Sequence, residues 1–110
     1  MAGANGKVIY SYFNNNKASQ GGSIYWVGAN GSVIGCTFIN NAAGMAGAVL
    51  WNAHFGTISN STFIHNSANL GGAIHWYSGD NSIITGCTFN NNTSTDTNGG
   101  AVVWGGIMVS

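Results

Sequence analysis

Nine side chains hold the strong acid–base, thiol and metal-ligating chemistry of this 110-residue chain: Lys7, Lys17, Cys36, His54, His65, His75, Asp80, Cys87 and Asp96. Hydrolysing a glycan needs two neighbouring carboxylates, and lyase chemistry needs a Ca²⁺ site with an Arg or Lys base. The chain has two carboxylates in all and no Arg or Glu. A Ser–His–Asp set would need one of the three histidines, and no nucleophile-elbow motif accompanies them. Two cysteines with no His in register make a poor metal site. The expectation is a protein that is not an enzyme, with no catalytic residue, no cofactor and no metal.

The same scarcity limits partners. Only 4% of residues are charged and the formal net charge is zero, against about a quarter charged in ordinary domains. Nucleic acid is excluded as a partner, because phosphate binding needs clustered Lys and Arg. No apolar run reaches the ~18 residues of a membrane span, so membrane insertion is not expected. The opening residues lack the apolar stretch of a signal peptide. An export signal is therefore removed, carried by a longer parent, or absent. Low charge favours association.

These residues are set on a repeat. Phe13, Phe38, Phe63 and Phe89 lie 25, 25 and 26 apart, and Trp26, Trp51, Trp76 and Trp104 lie 25, 25 and 28 apart. Between each Phe and Trp the order holds: "FNNN", "FINN", "FIHN", "FNNN", then "GGSIYW", "AGAVLW", "GGAIHW", "GGAVVW". Two segments per unit read as strands by alternation and β-branched content, "VIGCTFI" (33–39) and "GAVLW" (47–51). Gly, Asn, Ser and Thr disfavour helix. A fixed period with short strands predicts an all-β, parallel β-solenoid in one domain (1–110). It has about four coils of ~25 residues (8–32, 33–57, 58–83 and 84–110), each about 4.8 Å above the last. The crossover preference makes it a right-handed β-helix.

Columns then acquire meaning. The Phe, Trp, Val8/Val33/Ile58/Ile84 and Ile24/Val49/Ile74/Val102 columns are assigned inward, as is Ser11/Cys36/Ser61/Cys87. Cys36 and Cys87 stand two coils apart, roughly 9.6 Å, beyond the about 7 Å a disulfide spans, so both are expected as free, buried thiols. Gly22, Gly47, Gly72 and Gly100 mark the entry to the second strand. Asn16, Asn41, Asn66 and Asn92 are expected to bond from coil to coil. Tyr25/Leu50/His75/Val103 and Tyr12/Thr37/Thr62/Thr88 are assigned outward. Exposed, the four Trp would make a sugar platform; by parity they belong to the core. The broken Thr column is read as strand propensity rather than an ice-binding face.

The alternation of "GGA[IV]" with "FxxN" over residues 8–104 resembles the repeats of chlamydial polymorphic outer-membrane proteins. The fuller "CTFINN…GGAIHW" resembles adhesin-like surface proteins of methanogenic archaea. Ala46 departs from the pattern by replacing the first Gly. The resemblance implies an extracellular, cell-surface β-helix passenger, structural or adhesive, and carries no catalytic residue. A carbohydrate-binding module, meeting surface glycans, is the rival reading.

Two surface features complete the expectations. Neither terminal segment reads as a cap, and both Lys precede both Asp along the chain. Lys17, Asp96, Ile107 and Val109 are therefore assigned to a head-to-tail self-assembly interface; the alternative neighbour is further repeats of a longer parent. Asn30, Asn60, Asn91 and Asn92 each begin N-x-S/T, and Asn30, on a loop, is the preferred glycosylation acceptor.

Overall fold

The computed structural model describes residues 4–78, 81–95 and 101–104. Its first coil carries β1 (Lys7–Ile9), β2 (Tyr12–Asn14), β3 (Lys17–Gln20) and β4 (Ile24–Trp26). The second carries β5 (Ser32–Ile34), β6 (Thr37–Ile39), β7 (Ala42–Met45) and β8 (Val49–Asn52). The third carries β9 (Thr57–Ser59), β10 (Thr62–Ile64), β11 (Ser67–Ala68) and β12 (Ile74–Ser78). The fourth carries β13 (Ile83–Thr85), β14 (Thr88–Asn90), β15 (Thr93–Ser94) and β16 (Val102–Trp104). Each strand pairs in parallel with its counterpart one coil away, giving four four-stranded sheets. Val8 opposes Val33, Val33 opposes Ile58 and Ile58 opposes Ile84, so the registers follow the repeat.

Four strands per coil, rather than the two or three expected, is the main correction to the sequence reading. Residues 33–39 form two strands, because Gly35 turns the chain with φ 63°. The small-residue stretch Ala42–Met45 is a strand in its own right. Corners recur in columns, and each places one residue in the left-handed region. Asn5, Asn30, Phe55 and Asn81 make one such column. Tyr10, Gly35, Asn60 and Gly86 make the next, followed by Asn15, Asn40, His65 and Asn91. Gly21, Ala46 and Gly71 complete the set. Gly and Asn visit this region at least cost, and seven Asn and four Gly of the described residues occupy it. Short strands, each ended by such a corner, let 25 residues close a coil.

The core is the set of inward columns. Phe38, Phe63, Trp26, Trp51, Trp76, Val33, Ile58, Val49 and Ile74 are all buried. Phe rings stack at 4.8–5.0 Å along the whole column. Trp26 and Trp51 lie 4.9 Å apart and within 1° of parallel. Trp76 is tilted 22° from Trp51. Its coil differs at two points: the register shifts between Trp76 and Ser78, and Ser82 replaces the glycine found at Gly31 and Gly56. A Cβ at Gly31 or Gly56 would collide with the indole nitrogen of Trp26 or Trp51. Close approach of indole to backbone therefore requires glycine there. Gly22 and Gly47 are similarly enforced, since a Cβ on either would strike the carbonyl oxygen of Gly47 or Gly72 in the next coil.

Candidate functional site: amide ladder, coil edge and corner cleft

Inside the corner after β2, β6, β10 and β14, the Asn column forms a continuous ladder. The Oδ1 of Asn41 accepts from the backbone N–H of Asn16 (3.0 Å) and from its Nδ2 (3.1 Å). Asn66 accepts the same pair from Asn41 (3.0 and 3.0 Å), and Asn92 the same pair from Asn66 (2.9 and 2.9 Å). Each amide also donates back to the preceding coil: Asn41 to the Phe13 carbonyl (3.1 Å), Asn66 to Phe38 (3.0 Å) and Asn92 to Phe63 (2.9 Å). Asn41 and Asn66 are fully buried, which is tolerable because their carboxamides are hydrogen-bonded.

Among the described residues the ladder stops at coil 1. Asn16 is exposed, and its Oδ1 accepts no hydrogen bond among the described residues. Backbone groups stop with it. Ser32, Thr37 and Ala42 donate their N–H groups to Gly6, Ser11 and Asn16 of the first coil. The equivalent N–H groups of Lys7, Tyr12 and Lys17 point away from coil 2. Strands β1 and β2 leave only their central residue half-buried, and all four residues of β3 are exposed. Strand β4 is different, with Ile24 and Trp26 buried. All four strands of coil 1 end their sheets, and the edge is most exposed along β1–β3. Both Lys side chains stand on it, and Ile9, Tyr10 and Tyr12 beside it are at least half exposed.

Of the proposed assembly residues, Lys17 lies exposed on β3, opposite Ala42. Asp96, Ile107 and Val109 lie outside the described residues, as does Asp80. Asn30 occupies an exposed left-handed corner (φ 59°), its backbone N–H donating to the His54 carbonyl at 3.1 Å. Asn92 is a poor acceptor by comparison, its carboxamide being engaged in the ladder.

The three histidines fall in different places. His54 is exposed at a corner, tilted 54° from the Phe55 ring. His65 is an exposed left-handed corner residue. His75 is buried in β12, and burial lowers its pKa below the usual imidazole value. Among the described residues no three His, Cys, Asp or Glu groups gather. The thiols are both free. Cys36 is buried, its Sγ 3.4 Å from the carbonyls of Val8 and Ile34. Cys87 is only half-buried, which corrects the expectation for that residue. Burial still raises its pKa, against hydrogen bonds from the backbone that lower it.

Leu50 and His75 were assigned outward and are buried instead. The chain turns back at Gly21, Ala46 and Gly71, so the outer faces of the third and fourth sheets meet in a crease. Alternation identifies a strand's two faces but not which of them a neighbouring sheet covers. At its coil-1 end the crease opens into a cleft of about 360 Å³ lined by Gln20, Tyr25, Met45, Leu50 and Asn52. Sequence reasoning missed this feature, because it depends on the corner angle.

The indoles of Trp26, Trp51 and Trp76 have no exposed surface. They are core residues and present no face to a sugar.

The family model described as "Right handed beta helix region" matches residues 1–109. The chain belongs to that family, and its parallel solenoid is right-handed. No curated protein and no solved structure matches the chain.

Proposed function

We propose that this protein is a non-catalytic structural or adhesive module of a cell surface, and that its copies stack head to tail into filaments. One observation carries the reading: a coil edge of open strands and open ladder amide, β1–β3, lies on a chain whose coils differ little from one another. Unpaired edges template further pairing, and a head-to-tail contact between unlike ends does not close. The resemblance of "CTFINN…GGAIHW" to methanogen adhesin-like repeats, and of "GGA[IV]" with "FxxN" to chlamydial surface repeats, supports an extracellular place. Shortage of carboxylates, with scattered histidines, supports a role without catalysis. An Asn30 glycan would sit at a corner, clear of the ladder. Sedimentation velocity and negative-stain microscopy on the purified chain test the proposal. The expected result is filaments with an axial repeat near four to five coil spacings. A clean monomer at high concentration rejects it and leaves a module that meets further repeats of a longer parent.

The carbohydrate-binding reading now rests on the corner cleft rather than on tryptophan. Tyr25 offers a ring, and Gln20 and Asn52 offer carboxamides, over an apolar floor of Met45 and Leu50. Few polar groups over an apolar floor is the usual make-up of a small-ligand site. Glycan-array binding that Tyr25→Ala abolishes would favour it, and a blank array would remove it.

A further inference from the structure

Resting on the stacking reading above, we propose that the amide ladder itself is the docking code. The open Oδ1 of Asn16 in one copy accepts the backbone N–H and Nδ2 of Asn92 in a second copy, while β1–β3 pair with the second copy's last coil.

Each internal rung shows what that junction must look like. A rung is two donors from one Asn converging on one oxygen of the next, at 2.9–3.1 Å. At coil 1 the oxygen is present, and among the described residues neither donor meets it. At coil 4 the donors are present: the Asn92 backbone N–H has no ladder oxygen among the described residues, and its Nδ2 reaches only the Phe63 carbonyl. The two ends are therefore the halves of one rung. An end that donates cannot complete another end that donates, so head-to-head and tail-to-tail contacts are disfavoured. The Phe column agrees. Among the described residues, Phe13 stacks on Phe38 alone and Phe89 on Phe63 alone. A junction in ladder register would place these two rings against each other at the column's own spacing.

Charge favours the same partner. Both cations of the chain lie on coil 1, and both carboxylates lie at position 80 or later. An exposed pair contributes at most a little, so it would select orientation while the strand edges and ladder hold the contact. A general apolar partner would gain nothing from the ladder oxygen. A second copy gains every element of a rung.

Two substitutions separate this proposal from stacking in general. Asn16→Leu removes the acceptor at an exposed position. Tyr12→Pro removes an N–H that points away from coil 2, and so breaks no hydrogen bond among the described residues while blocking the edge. Both should keep the far-UV spectrum and melting temperature of the parent within a few degrees. Both should raise the concentration needed for assembly at least tenfold. Asn16→Leu, still able to donate through Asn92, should also act as a chain terminator, so that one part in ten mixed with the parent shortens the filaments. If Asn16→Leu assembles like the parent while Tyr12→Pro stays monomeric, strand pairing drives stacking and the ladder proposal is overturned alone. If the parent chain sediments as a monomer, both readings fall. Should Asn16→Leu fail to fold, Asn16→Ala, which also lacks the oxygen, takes its place: a raised assembly concentration supports the ladder, and assembly like the parent's overturns it.

Discussion

Ala46 is the one buried residue of its corner column that is not glycine, and it holds φ 59°. Its neighbours in the column, Gly21 and Gly71, adopt the same conformation without a Cβ. A left-handed conformation costs a non-glycine residue about 1–2 kcal/mol, and Gly loses back about 0.5–1 kcal/mol through unfolded-state entropy. Ala46→Gly is expected to stabilise by about 0.5–1 kcal/mol, a rise of a few degrees in a thermal melt. His75 gives the fold an acid sensitivity. Burial holds its native pKa below the unfolded value of 6.5, so the unfolded chain binds the proton more readily. Stability is then fully present above pH 6.5, falls as pH drops through 6.5 toward the lowered native value, and levels off beneath that. His75→Leu should flatten the melting temperature over that window. The thiols should separate kinetically: Cys87 reacts first with a thiol reagent at neutral pH, slowed by its raised pKa, and Cys36 reacts only on unfolding.

At the scale of the element, each rung of the ladder ties a corner to the coils on both sides. Asn66 makes five hydrogen bonds: it accepts two from Asn41, donates two to Asn92 and donates one to the Phe38 carbonyl. Asn66→Ala leaves the buried Asn41 N–H without its acceptor, and takes one hydrogen bond each from the Asn41 amide, which keeps the Phe13 carbonyl, and from the Phe38 carbonyl. An unsatisfied buried group costs about 1–3 kcal/mol and further hydrogen bonds are lost with it, so the variant should lose several kcal/mol and unfold at much lower denaturant. Asn16→Ala, at the exposed rung, should lose far less in the same denaturant titration. The ladder and the inward columns were legible in the sequence because a fixed period puts like residues together whatever the exact path. The number of sides was not. Gly35 looks like an ordinary strand residue within "VIGCTFI", and the corner sites alternate among Gly, Asn, Tyr, Phe, His and Ala, so no single residue type announces them. The crease that buries Leu50 and His75 needs the angle between two sheets, which neither alternation nor period contains.

At the scale of the whole molecule, packing among the described residues falls off from coils 2 and 3 toward coils 1 and 4. Phe38 and Phe63 have no exposed surface, whereas Phe13 and Phe89 are partly buried. In a stack of coils each repeat is stabilised by its neighbours. Phe63→Ala should therefore cost about 3–5 kcal/mol, as for a fully buried Phe. Phe13→Ala should cost clearly less in the same melt, and an equal loss would contradict the gradient.

The ladder has a further consequence, an electrical one. Every carboxamide in it points the same way, with oxygen toward coil 1 and NH₂ toward coil 4. An amide carries a dipole of about 3.5 D, so four in line amount to roughly 14 D directed along the axis. Sheet backbones contribute little net dipole of their own. The solenoid is thus a rod with a weakly negative pole at Asn16, and Lys7 and Lys17 stand at that pole as cations do at the carbonyl end of a helix. Each coil added in register lengthens the array, so a growing stack becomes more strongly polar with length.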